Sequence, residues 1–162
     1  MLAARMYGYK QPLVIEDVKT PEIAANEVLV KVSAAGICRT DFQLVDGYFR
    51  EYMELPFPAI LGHEIVGTVD KIGSLVPRES GLTDGDQVVV SGGWGDGSCR
   101  MCLVGNTNIC ARGNMTDLTE IVRLAEQGKI RYTVKPIKLE EINENLELLG
   151  AGEIVGRAVV VF

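Results

Sequence analysis

Apolar and polar positions alternate across residues 27–34. Val28, Val30 and Val32 fall on one side and Leu29, Lys31 and Ser33 on the other, which predicts a half-buried strand. Residues 13–18 form an apolar run after Pro12, and residues 64–72 form a longer β-branched run that stops at Gly73. The Asp84-Gly85-Asp86 turn leads into a further strand at 87–91. Residues 1–10 carry no long apolar run and receive no strand in this reading. Short strands separated by turns predict a β-barrel or sandwich.

The pattern then changes twice. Residues 92–113 are rich in Gly, Asn and Cys and follow neither hydrophobic period. Such a stretch buries too little apolar surface to order itself, so something else must hold it. After Asn114 the spacing becomes helical. Leu118, Ile121, Val122 and Ala125 share one face, with Asp117 as N-cap, Glu120 closing a capping box and Gly128 as the stop. Residues 130–134 read as a strand halted by Pro136. Leu139, Ile142, Leu146 and Leu149 predict a second helix ending near Gly150, and residues 157–162 a last strand. The abrupt change at 112–115 is the one candidate junction. No internal repeat or low-complexity segment is present.

With 162 residues, of which 47% are hydrophobic and 6% aromatic, the chain suits one domain with a core of Val, Ile, Leu and Ala. The net charge of −6 argues against a nucleic-acid surface. No leader and no apolar run approaching ~18 residues is found, so a cytoplasmic protein without membrane contact is expected. In that compartment cysteines serve more often as metal ligands or thiols than as disulfides.

Three of the four cysteines, Cys99, Cys102 and Cys110, lie in the glycine-rich stretch, while Cys38 stands far upstream; His63 is the sole histidine. Two cysteines two residues apart can grip one ion, and a short loop delivers the next ligand to a tetrahedral zinc at about 2.3 Å. Asp96 lies three residues before Cys99, where a fourth ligand would fall, with a water or another carboxylate as the alternative. Cys99 and Cys102 could also form a redox pair, but the βαβ setting of such pairs is missing. Cys38 alone reads as a small core hydrophobe and His63 alone as a structural histidine.

Taken in order, Gly36-Ile-Cys-Arg-Thr-Asp41, then Gly62-His-Glu64, then the cysteine lobe, the sequence resembles zinc-dependent medium-chain alcohol dehydrogenases; the Gly-Asp-Gln-Val turn at 85–88 and the ending Gly-Glu-Ile-Val-Gly-Arg-Ala-Val-Val-Val fit too. About the first 110 residues and about the last 48 fit the family pattern. The resemblance implies a mainly β fold with some α: a GroES-like, partly open barrel with a zinc lobe at 92–113 and two short C-terminal helices. It implies Cys38 and His63 as ligands of a catalytic zinc, with Glu64 as a ligand in some states of the metal or a group behind the ligands, and Asp96, Cys99, Cys102 and Cys110 as ligands of a structural one. It further implies Thr40 as relay for the alcohol proton, Asp41 as the group orienting the His63 ring, and Arg39 as the contact for a cofactor pyrophosphate. Asp41 could equally serve as a helix N-terminal carboxylate, and Arg39 as a solvated surface cation.

Three departures qualify the resemblance. The family's third protein ligand of catalytic zinc, a cysteine beyond the lobe, has no counterpart. No G-x-G-x-x-G joins a strand to a helix, which argues against NAD(P) binding here. Strands that follow the lobe in the family are also missing. The expectation is therefore a catalytic domain in two parts, 1–113 and 114–162, with the nicotinamide domain missing between them. Such a remnant would be poorly active alone, with an alcohol or carbonyl substrate in the parent family and a homo-oligomer formed through the exposed former domain interface. The alternative is a non-enzymatic GroES-like zinc scaffold.

Overall fold

The computed structural model describes residues 1–92, 95, 97–107, 110, 125, 127–129 and 133–162. The first helix predicted from Leu118, Ile121 and Val122, the start of the strand predicted at 130–134, and Asp96 lie outside the described residues. The chain divides into two compact units: Met1–Val89 with Val134–Phe162, and Val90–Thr133.

The larger unit is built on two sheets. Strands β1 (Leu2–Met6), β2 (Val14–Asp17) and β4 (Ala59–Ile60) form a three-stranded sheet in the order β2-β1-β4. Strands β3 (Val28–Gly36), β5 (Glu64–Ile72), β6 (Gln87–Val90), β7 (Val134–Ile137) and β8 (Arg157–Val161) form a second in the order β6-β5-β3-β8-β7. The predicted strands at 13–18, 27–34, 64–72, 87–91 and 157–162 are all present within a residue or two. The alternation across β3 holds only in part: register shifts between Leu29 and Val30 and between Val32 and Ala34 turn neighbouring residues to one side, so Leu29 is half-buried like Val28 and Val30.

β1 and β4 are additions to the sequence reading. In β1, Ala3, Ala4 and Met6 are all buried, and two adjacent buried alanines give no period-two signal. Pro136 does not halt the strand before it. β7 runs through Pro136, opposite Val159 in a parallel pair with β8. β7 is the last strand of its sheet, and a missing N–H is tolerated on an outer edge.

The core joins Ala4 and Met6 of β1, Leu13, Ile37, Ile137, Ala158 and Val160 to Leu139 and Leu146. Leu146 belongs to a helix at Ile142–Ala151, preceded by a 3-10 turn at Leu139–Glu141. This is the second helix of the sequence reading, and it ends at Gly152 with φ 77°, a conformation glycine adopts without strain. Burial of each such aliphatic side chain stabilises by about 1.5–3 kcal/mol. Asn143 on this helix accepts from the Leu13 N–H at 2.8 Å and donates to the Leu13 carbonyl at 2.9 Å, imitating a strand partner. The result is a mainly β protein with few short helices.

Candidate metal centres

Strand β3 ends at Gly36, and the chain turns directly into helix α1 (Arg39–Asp46) with Cys38 as its N-cap. Asp41 closes that turn: its Oδ2 accepts the Cys38 N–H at 2.9 Å. Strand β5 begins at Glu64, paired with Gly36, so His63 and Glu64 arrive beside Cys38. A ligand atom from each of Cys38, His63 and Glu64 lies within 4.8 Å of the other two. A Cβ at Gly36 would run into the Glu64 carboxylate, so a larger residue here must displace that side chain.

The groups around this cluster are charged and specific. Arg157 of β8 places Nη2 3.6 Å from Glu64 Oε1 and donates from Nη1 to the Ile37 carbonyl at 3.2 Å. Asp41 is 5% exposed, and its Oδ1 sits 3.5 Å from His63 Nδ1 with no hydrogen bond of its own. Burial pushes the Asp41 carboxyl above the usual carboxylate range; the Cys38 N–H, His63 and Arg157 pull it down, while Glu64 pushes it further up. Both sequence readings of Asp41, helix N-terminal carboxylate and neighbour of the histidine ring, thus describe the same side chain. Thr40 Oγ1 lies 3.7 Å from Cys38 Sγ. Arg39 donates from Nη1 to the Leu149 and Gly150 carbonyls at 3.1 and 3.4 Å and stacks over Phe42, with 5.2 Å from its guanidinium carbon to the ring centroid.

In the smaller unit, Cys99 is the N-cap of a one-turn helix, α2 (Arg100–Leu103), which carries Cys102. The Cys110 N–H bonds to the Thr107 carbonyl at 3.2 Å. Sγ of Cys99 is 3.6 Å from that of Cys102 and 3.8 Å from that of Cys110. A disulfide requires about 2.05 Å, so neither of these two separations is an S–S bond. Bonds of about 2.3 Å from a tetrahedral zinc give a sulfur–sulfur edge of about 3.8 Å, which these separations match. A Cβ on Gly95 would fall 2.6 Å from Cys102 Sγ and 2.9 Å from Thr107 Cβ, so the loop can pass the cluster only as glycine.

Donor chemistry suits zinc in both clusters: three thiols in one, and a thiol, an imidazole and a carboxylate in the other. The unpartnered Asp41 Oδ1 beside Nδ1 supports the second fit, since a ligating histidine donates its other ring N–H to such an oxygen. A nicotinamide dinucleotide finds no such fit among the described residues. Residues 150–156 lead out of a helix into β8, the reverse of the strand-to-helix turn that cradles phosphates.

The chain is similar to several known proteins. The family model described as the alcohol dehydrogenase GroES-like domain matches residues 24–133. D-arabinose 1-dehydrogenase (NADP(+)) of Saccharolobus solfataricus is 42% identical over 108 residues, 67% of this chain and 30% of that protein. An NAD-dependent alcohol dehydrogenase of Sulfurisphaera tokodaii is 34% identical over 115 residues, 68% of this chain and 32% of its own length. The chain therefore spans about a third of the length of the curated relatives it matches. Among solved structures, the alcohol dehydrogenase of Aeropyrum pernix superposes with a TM-score of 0.88 over 100% of both chains at 19% identity, a likeness of fold alone. A cobalt- and zinc-bound thermostable alcohol dehydrogenase from Pyrobaculum aerophilum superposes at 0.59, with 34% identity over 69% of this chain and 32% of that one. No helix among the described residues is long and apolar enough to cross a membrane. The match over residues 24–133, with the mainly β fold that surrounds it, places the chain in the alcohol dehydrogenase GroES-like domain family.

Proposed function

We propose that this chain is the zinc-binding part of an NAD(P)-dependent dehydrogenase that interconverts a small alcohol and its carbonyl compound. The convergence of Cys38, His63 and Glu64 carries the reading. In it, these three residues hold a catalytic ion, and Asp96, Cys99, Cys102 and Cys110 hold a structural one. When bound, the catalytic ion supplies Lewis acidity that brings a hydroxyl group's pKa towards neutrality. Asp41 fixes the His63 ring through Nδ1 and leaves Nε2 for the ion. Arg157 holds the Glu64 carboxylate in place through their ion pair. Thr40, beside the Cys38 sulfur, takes the hydroxyl proton and passes it outward. Arg39 uses Nη1 on helix carbonyls and offers the rest of its guanidinium to a cofactor pyrophosphate.

Missing from the sequence are a strand–G-x-G-x-x-G–helix unit and a fifth cysteine for the catalytic ion, so the chain by itself is assigned slow turnover. A cytoplasmic setting, which keeps thiols reduced, and a homo-oligomer belong to the same reading. Elemental analysis of reduced protein tests it. The expected content is two zinc ions per chain, falling to one in Cys38→Ser and to one in Cys102→Ser. Protein without bound transition metal, folded unchanged after exhaustive chelation, would refute the reading.

A further inference from the structure

Helix α1 starts at Cys38, so whatever fixes its first turn also fixes that sulfur. The Asp41 N–H donates to the Cys38 carbonyl at 3.0 Å and the Phe42 N–H to the same oxygen at 3.5 Å, which ties Phe42 to Cys38 across one helical turn. The Phe42 ring packs on the C-terminal helix, Ile142–Ala151, at Gly150. A Cβ there would run into Cε2 of the ring and fall 2.7 Å from Cζ. Both atoms belong to a rigid ring, so the two helices reach this separation only because residue 150 has no side chain.

Arg39, next to Cys38, closes the contact. Its guanidinium carbon lies 5.2 Å from the Phe42 ring centroid, and Nη1 donates to the Leu149 and Gly150 carbonyls. These carbonyls belong to the last turn of the C-terminal helix, which lacks N–H partners within the helix and carries the negative end of its dipole. Beyond Gly150 the chain enters β8, where Arg157 donates to the Ile37 carbonyl. Cys38 is thus flanked by two ties to one stretch of chain, through Ile37 on one side and Arg39 on the other. Metal–ligand bonds tolerate only about 0.2 Å of misplacement. Carbon atoms pack at about 3.5–4.0 Å, so a methyl group at residue 150 would push the ring away by about 1 Å.

We infer that Phe42 and Gly150 are positioning residues for the Cys38, His63 and Glu64 metal site, acting on the Cys38 sulfur through Arg39 and the first turn of α1. The inference rests on the reading of that cluster as a metal site. The test uses the full chain loaded with cobalt(II), and cobalt-loaded Cys38→Ser supplies the lobe's contribution for subtraction. The difference spectrum of the unmodified chain is expected to show a thiolate-to-cobalt band. Gly150→Ala shifts this band and weakens cobalt binding at the site by about tenfold or more, with the lobe's spectrum unchanged. Alanine is the better helix former, so the loss comes from the ring and not from the helix. Adding Phe42→Leu vacates the space that the methyl group needs, and the double variant recovers most of the affinity, a coupling that a double-mutant cycle measures. If Gly150→Ala fails to fold, Arg39→Lys, which keeps the charge but loses the planar fork over the ring, is read in the same way. A lowered melting temperature with band and affinity unmoved would mark a packing contact alone and overturns the inference. So does a double variant no better than Gly150→Ala. A band missing from the unmodified chain overturns the metal-site reading itself, and the inference falls with it.

Discussion

The two units of this chain are ordered by different means. In the larger one, two sheets and a helix converge on a continuous aliphatic core, with Met6 wholly enclosed and Ala158 and Val160 nearly so. In the smaller one, Cys110 is the only buried residue among those described, and the one described helix spans a single turn. Residues that bury little apolar surface have little to set against the conformational entropy of ordering them. Among the described residues of the smaller unit it is the three sulfurs that gather, whereas the sheets draw their order from surface removed from water. The difference predicts two kinds of stability in one short chain that fail independently.

The strongest way to break this comparison is to remove the ion that the proposed reading places between Cys99, Cys102 and Cys110. Structural zinc sites contribute about 10–16 kcal/mol of apparent binding energy, which is folding energy for the segment that holds them. Chelation or Cys102→Ser is expected to open the lobe to proteases by orders of magnitude while the strand signal in circular dichroism persists. Simultaneous loss of both would show a single cooperative unit. The converse test is Met6→Ala, expected to reduce stability in urea by about 2–5 kcal/mol with the lobe's zinc content unchanged.

The glycines beside the two clusters sharpen the contrast at smaller scale. Gly95→Ala drives a methyl group against Cys102 Sγ and Thr107, both held by the loop, and is expected to weaken lobe metal binding by about 10–100-fold. Gly36→Ala meets the Glu64 side chain, whose carboxylate end can give where the loop atoms beside Gly95 cannot, so its loss of metal affinity should be smaller; competition with a chromophoric chelator ranks the two. The least effect is expected at the rim of the three-stranded sheet. Tyr7 donates to Glu16 at 2.6 Å, which raises the tyrosine pKa and lowers that of the carboxyl. A lowered carboxyl stabilises above its ordinary range and loses that contribution as pH falls through the shifted value. The raised phenol keeps its contribution until pH rises through its own shifted value. Tyr7→Phe should therefore lower the melting temperature slightly near neutrality, and the gap from the unmodified chain should close in acid.

Much of this was legible in the sequence where a local rule agreed with the fold. The β-branched run of β5 spans the residues the pattern marked, and the Leu139-Ile142-Leu146-Leu149 face became the helix that closes the core. What escaped had no local signal. β4 is two residues long, and β1 pairs through small alanines, so both depend on partners far along the chain. Pro136 misled because edge position is a property of the sheet, not of the residue. At the metal cluster, Cys38, His63, Glu64 and Asp41 were found by motif and do converge, whereas Arg157 was missed as a partner of Glu64. Its only sequence signal was an arginine opening an apolar strand. Gly36 and Gly95 had no signal beyond their identity, because what excludes a side chain there is an atom from elsewhere.

Residues at the extreme ends of the chain finish the structure together. Asn143 clasps Leu13, β8 lies alongside β3 from Ala34 to Gly36, and Arg157 braces both Ile37 and Glu64. The neighbourhood of Cys38 and His63 therefore depends on contacts about a hundred residues apart in sequence, so it forms only with the larger unit as a whole, whereas Cys99, Cys102 and Cys110 are neighbours along the chain.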